Sequence, residues 1–143
     1  MEKIKIKFKK LHSSAQVPVY KSDGAAAFDI YSVEDKVLKP GETALISTGI
    51  SLELKEGYCL QLWDRSGLGA KGIHRFAGLI DSDYRGEIKA VLHNSSDTEY
   101  KIEKGDRVIQ ASIVPVMQAD FEESSELSET SRGSGGFHST GKK

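Results

Sequence analysis

The chain has 143 residues, with 20 Lys and Arg against 21 Asp and Glu, for a formal net charge of −1. At roughly 100–200 residues per domain this is one domain with room for a tail, and the balanced charge excludes a protein held to nucleic acid by bulk charge. Charged residues make up 29% and hydrophobic residues 38%, a folded rather than a disordered composition, and no run approaches the roughly 18 apolar residues of a membrane span.

From the first residues the dominant apolar period is two. Ile4, Ile6 and Phe8 alternate with Lys5, Lys7 and Lys9, which predicts a strand with one buried and one charged face, its lysines blunting a sheet edge. The same segment lacks the apolar core of a signal peptide. Further strands are predicted at Phe28–Ser32, Val37–Leu38, Thr43–Ser47, Ile50–Leu54, Tyr58–Trp63, Phe76–Ile80, Glu87–His93, Glu99–Ile102 and Arg107–Val116. Turn signals separate them, among them Lys39-Pro40-Gly41-Glu42, Asp83-Tyr84-Arg85-Gly86 and Lys104-Gly105-Asp106. Short strands at about 8–12-residue spacing predict an all-β sandwich, barrel or jelly roll. Parallel βαβ architecture is disfavoured because no 10–15-residue helical pattern separates the strands. One helical turn is predicted within Arg65–Lys71 and kept short by its glycines. The composition shifts near Ala119: Asp120–Ser131 is acidic and serine-rich, and a Gly/Ser-rich run follows, so 1–118 reads as the folded domain and 119–143 as a tail. The single cysteine, Cys59, can form no internal disulfide and cannot alone build a zinc site. It predicts a small buried side chain and a reducing, intracellular compartment.

Several segments admit a chemical reading beside a structural one. Gly78–Glu87 is either a plain β-hairpin or a strand end presenting Asp81 as a general base. Asp64–Gly69 is either a helix start with Asp64 as N-cap, or an anion site in which Arg65, Ser66 and backbone N–H groups meet phosphate oxygens. Gly105–Gln110 is either a tight turn entering a strand, or a device that brings Asp106 and Gln110 to a metal or phosphate. The run Arg132–Gly141 is either a flexible end or a lid, with the lone Phe137 stacking on a flat ligand and Arg132, Ser139 and Thr140 closing over phosphates. It is no Walker A loop, for the G-K-[ST] order is missing. His12, His74, His93 and His138 show no metal-ligand spacing, so any metal would be a hard cation held by oxygens.

The order of these segments is more telling than any one of them. A-A-F-D-I, R-S-G-L-G, G-L-I-D-S-D-Y-R-G-E-I, G-D-R-V-I-Q and R-G-S-G-G-F-H-S-T-G follow one another from Ala26 to Gly141. This resembles the five ordered motifs of the trimeric dUTP pyrophosphatase (dUTPase) family. The resemblance implies a distorted β jelly roll, a homotrimer whose active sites take motifs from all three chains, and hydrolysis of dUTP to dUMP and pyrophosphate with Mg²⁺ on the triphosphate. That activity would limit uracil in DNA and supply dUMP for dTMP synthesis in a cytoplasmic setting, with no nucleic-acid or membrane partner.

Carried onto matching positions, the resemblance makes Asp81 the base for water attack on the α-phosphorus. Tyr84 would stack under deoxyribose, and the hairpin including Gly78 and Ile80 would read uracil through main-chain groups. Arg65, Ser66, Gly67 and Gln110 would bind phosphates. Asp29 and Gln110 would make outer-sphere contacts to Mg²⁺, with no direct protein ligand. Asp106 and Arg107 would support the site from behind. Arg132, Gly136, Phe137, Ser139 and Thr140 would close over the substrate. The chain departs from the family pattern at Ala27, Asp64, Gly69, Arg75 and His138. Asp64 would weaken triphosphate binding unless it turns away or pairs with Arg65, and Arg75 has no acceptor with which to replace the usual Asn. Two alternatives share the fold: a dCTP deaminase, for which Glu87 is the nearest extra carboxylate, and a nucleotide-binding regulatory trimer without turnover.

Overall fold

The computed structural model describes residues 3–136, and its regular structure is almost entirely β. In chain order the elements are β1 (Lys7–Lys10), β2 (Phe28–Tyr31), β3 (Lys36–Leu38), β4 (Thr43–Ser47), β5 (Ile50–Glu53), β6 (Tyr58–Trp63), α1 (Ser66–Gly69), β7 (Ile73–Phe76), β8 (Leu79–Ile80), β9 (Lys89–Asn94), β10 (Tyr100–Ile102) and β11 (Arg107–Pro115). They form four sheets: β2-β11-β6-β8, β4-β9-β7, β1-β5 and β10-β3. Each of these pairings is antiparallel. The inward residues of the sheets, among them Ile30, Ile46, Leu60, Leu92 and Ile109, meet in one apolar core. Burying each such side chain contributes about 1.5–3 kcal/mol.

Three expectations about elements need correction. The first strand begins at Lys7 and not near Ile4: Ile6 and Phe8 pack against the core, whereas Ile4 is exposed. Pairing limits the strand, since β1 meets only the four residues Ile50–Glu53 of β5. The expected continuous strand Phe76–Ile80 is interrupted: it holds only the last residue of β7 and the two residues of β8, and Ile73–Arg75 extend β7 where no strand was expected. Ala77 and Gly78 take φ of 59° and 116°, outside the extended region, so the chain leaves β9 at Phe76 and joins β6 at Leu79. Asp64 is not the N-cap of α1. Arg65 occupies that position in an extended conformation with no side-chain capping bond.

The central strand is β11, which pairs with β2 on one side and β6 on the other. Its register shifts against β2 between Arg107 and Ile109, the signature of a bulge. Val108 and Ile109 are both buried there, so the inward–outward alternation skips one residue. Arg107 thereby lies on the same face as Gln110, a placement that strict period-two reading assigns to the opposite face.

Candidate active site

Gln110 is the centre of the constellation. It lies opposite Asp29 on β2 and opposite Trp63 on β6, so the three residues form a row across one sheet face. Asp29 would be costly there as an unpaired carboxylate, because only 10% of its side chain is accessible. Two arginines resolve this. Arg65 Nε donates to Asp29 Oδ1 and Arg107 Nη1 donates to Asp29 Oδ2, each at 3.1 Å. Arg65 is fixed further by a 3.0 Å bond from Nη1 to the Arg107 carbonyl. Gln110 Nε2 donates to the Asp64 carbonyl at 2.7 Å and so ties β11 to the segment leading into α1. Ser66 and Gly67 open that helix, and Ser66 is exposed. A cleft of about 160 Å³ lies beside this group, lined by Arg65, Leu68, Tyr100, Asp106 and Arg107 among others. Burial holds the Tyr100 hydroxyl above its ordinary pKa, so it stays a neutral wall of that cleft.

The expected phosphate residues Asp29, Arg65 and Gln110 are thus in one cluster, with Ser66 and Gly67 on the adjoining turn. Arg107, expected as a support from behind, bonds the Asp29 carboxylate at the same distance as Arg65 does. Asp106 keeps a turn role: its carboxylate accepts the Glu103 N–H. The signal that could have found Arg107 is the pair Val108-Ile109, two adjacent apolar residues at a point where alternation calls for one.

The hairpin is built differently. β8 pairs with β6 through Ile80↔Leu60 and Leu79↔Gln61, and the Gly78 carbonyl accepts the Leu62 N–H at 2.8 Å. Asp81 follows at the strand end and is exposed. The turn closes by a 3.2 Å bond from Tyr84 N–H to the Asp81 carbonyl. The Tyr84 ring folds back over Gly86, and its hydroxyl donates to the Glu87 carbonyl at 3.0 Å. A Cβ on Gly86 would lie 2.5 Å from the Tyr84 ring and closer still to its hydroxyl oxygen, so only glycine leaves the ring this seat. Ser51 Oγ holds the far side of the turn by donating to the Arg85 carbonyl at 2.8 Å. Glu87 is already engaged: its Oε1 accepts the Gly49 N–H at 2.9 Å and its Oε2 lies 3.5 Å from Lys89 Nζ. It is a brace of the hairpin base, not an unoccupied acid.

The Asp64 carboxylate turns toward β7 and away from Arg65. Its Oδ1 accepts the Arg75 N–H at 2.7 Å and its Oδ2 lies 3.5 Å from His74 Nδ1, so it does not pair with Arg65. Beyond β11, residues 117–134 are exposed, and Arg132 Nε donates to the nearby Gly135 carbonyl at 2.8 Å. Gly136 is the last described residue. Phe137, His138, Ser139 and Thr140 lie outside the described residues. No helix among the described residues is long and apolar enough to cross a membrane.

The family model described as dUTPase matches residues 13–141. The deoxyuridine 5'-triphosphate nucleotidohydrolase of Nautilia profundicola is 49% identical, over 97% of this chain and all of that protein. The protein of that name from Helicobacter pylori is 45% identical, over 96% of this chain and 97% of its own length. Among solved structures, the dUTPase of Staphylococcus bacteriophage 80alpha with dUPNHPP is 30% identical with a TM-score of 0.90, covering 96% of this chain and 98% of that one. The dUTPase of S. aureus phage phi11, in a mutant described for its coordination of a structural Mg(II) ion, is 26% identical with a TM-score of 0.81, covering 87% and 99%. These likenesses make the all-β fold one of the jelly-roll type, as the motif order implied.

Proposed function

Because the chain belongs to the dUTPase family and hydrolyses dUTP to dUMP and pyrophosphate, we propose that it does so at a site assembled from the sheet face around Gln110, the hairpin 78–86 and the tail 119–143. The observation that carries this reading is the register of β11. It places Asp29 and Trp63 on either side of Gln110, so the first, second and fourth motifs meet. The third begins on β8, which pairs with Leu60 and Gln61 of the same strand β6.

In this reading Asp81 accepts a proton from water as the water oxygen bonds to the α-phosphorus. The bond from that phosphorus to the bridging oxygen breaks, and pyrophosphate leaves with the electron pair. Arg65, the Ser66 hydroxyl and the N–H of Gly67 bind the phosphate oxygens, and Gln110 completes the cradle. Asp29 holds the two guanidinium groups in place before substrate arrives, so little reorganisation accompanies the growth of charge on the leaving group. Gly78 and Ile80 present main-chain groups to uracil, where a cytosine amino group would leave buried polar atoms mismatched. The Tyr84 ring, seated on Gly86, forms the floor under deoxyribose and leaves no space for a 2′-hydroxyl. Arg132, Gly136, Phe137, Ser139 and Thr140 close over base and phosphates. Ordering that segment costs conformational entropy, so closure needs the full triphosphate.

Enzymes of this family generally use Mg²⁺. The donor set fits an ion carried by the substrate: among the described residues no three His, Cys, Asp or Glu side chains are grouped to hold a metal. Mg²⁺ keeps several waters and binds substrate phosphates readily. Asp29 and Gln110 would touch those waters, since each Asp29 oxygen keeps a lone-pair site beyond its arginine. When bound, the ion neutralises charge on the pyrophosphate.

The chain acts as a homotrimer with shared sites. What supports this is the apolar surface that one chain leaves open, with Met117, Phe121 and Leu127 each more than four-fifths exposed. The test is pyrophosphate release from dUTP, dCTP, dTTP and UTP with Mg²⁺, read beside ammonia release from dCTP. Release from dUTP without ammonia is expected. Asp81→Asn should bind dUTP while losing about 10²–10⁴-fold in turnover, the usual worth of a positioned base. Turnover near the native rate would remove Asp81 from that role.

A further inference from the structure

Between the phosphate cluster and the hairpin lies a side chain that the proposed mechanism does not use. Arg75 sits near the end of β7, one residue before the chain leaves that sheet. Its guanidinium lies over the Trp63 ring, 5.4 Å from the centroid, and its Nη1 donates to the Ala77 carbonyl. Trp63 is itself fixed by a 3.0 Å bond from Nε1 to Ser112 Oγ on β11. The Arg75 backbone is held by Asp64, whose carboxylate accepts its N–H. Arg75 Nε is buried with no hydrogen-bond partner among the described residues, which is a cost the site bears to keep the guanidinium in this pose.

The carbonyl that Arg75 grips belongs to Ala77, the one described non-glycine residue with positive φ. Gly78 follows with φ of 116°, and a Cβ there would lie 3.0 Å from Leu62 Cβ and 3.3 Å from Arg75 Nη1. Gly78 tolerates such a conformation, but Ala77 does so only where its surroundings over-determine it. The donor from Arg75, the Leu62 N–H on the Gly78 carbonyl and the contact with Leu62 supply that constraint.

We propose that Arg75, stacked on Trp63, is a positioning residue that sets the Ala77–Gly78 turn and thereby the base selectivity of the hairpin that follows. The inference rests on the reading in which Gly78 and Ile80 present main-chain groups to uracil. It adds the device that aims those groups. Loss of the grip lets the turn relax toward ordinary φ, which displaces the carbonyl and N–H groups of the hairpin entry. A fixed array of donors and acceptors discriminates strongly between uracil and cytosine, and a mobile one does not.

The test compares Arg75→Met and Arg75→Lys with the native chain, using steady-state dUTP and dCTP kinetics. Met keeps the stem packed on Trp63 without cation or donor; Lys keeps both but loses the planar fork. Arg75→Met should raise KM for dUTP about tenfold, lower kcat less than about threefold and cut the dUTP-to-dCTP preference about tenfold, while Arg75→Lys recovers most of each. Trp63 is the only tryptophan, so its emission reports the lost stacking, and the melting temperature checks the fold. Native KM and preference in Arg75→Met would overturn the proposal, and so would equal losses in kcat and preference in both variants. Gly78→Ala separates this failure from that of the underlying reading. If folded Gly78→Ala loses base preference and Arg75→Met does not, Arg75 is not the positioning residue. If neither loses it, the hairpin does not read the base.

Discussion

The phosphate cluster and the hairpin hold different groups in place. Around Asp29 the geometry is set by side chains: two guanidinium groups on one nearly buried carboxylate, with Gln110 tying two elements together. Around the hairpin Gly78–Gly86 the groups held in place are main-chain carbonyls. Three carbonyls, those of Gly78, Arg85 and Glu87, are each gripped by a donor from outside or across the turn. The difference follows from what each part is proposed to recognise. A triphosphate presents charge, which is met best by cations already paired and oriented. A base edge presents a fixed pattern of donors and acceptors, which main-chain groups match only if their conformation is rigid. The tail is the extreme case, for none of the hydrogen bonds made by residues 124–136 reaches a strand. Its proposed order comes from the ligand.

Removing the part that has no order of its own should have the largest effect. Truncation after Ser131 should lower turnover of dUTP about 10²-fold or more while leaving the oligomer and melting temperature intact, because closure is lost and no core is touched. Size-exclusion chromatography beside the kinetic assay checks both halves. Normal turnover in the truncated chain would show that the strand-held groups suffice.

Asp29→Ala attacks the side-chain-held cluster and should come next. With the carboxylate gone, Arg65 and Arg107 repel one another and lose their orientation. KM for dUTP should rise about tenfold or more and the salt dependence of binding should steepen, while the preference for dUTP over dCTP stays native. A change in base preference would break the division of labour between the two regions.

Gly86→Ala is the subtlest change and tests the hairpin. The added methyl displaces the Tyr84 ring from its seat. The expected readout is a rise of about three- to tenfold in the UTP-to-dUTP activity ratio, with phosphate binding untouched. An unchanged ratio would show that the ring is not the floor under the sugar.

Two of the positions at which the chain departs from the family pattern, Asp64 and Arg75, are bonded to one another through the Arg75 N–H. From the sequence each looked like an isolated liability. In the structure Asp64 points its charge at β7 rather than at Arg65, and Arg75 stacks on Trp63. Their eleven-residue separation shows nothing of this, because contact across strands depends on register and not on spacing.

Much of the fold was legible directly. Alternation of apolar residues and the turn chemistry between them placed most strands within a residue or two, since one buried face imposes period two on the sequence itself. The ordered motifs identified the family, and with it the chemistry. Three features escaped because they break the local rule. The positive φ at Ala77 split an expected strand, and alanine carries no signal for that conformation. The bulge at Val108 moved Arg107 onto the face of Gln110. The cap position of α1 fell to Arg65, and the Asp64 carboxylate accepts the Arg75 N–H on β7 instead. Sequence alone determined most of the inward-facing residues and which chemical groups are on hand, because solvent sorts side chains by polarity along regular strands. Only the tertiary structure decided which of those groups share a neighbourhood, because register, bulges and ion pairs are settled between strands that the sequence holds far apart.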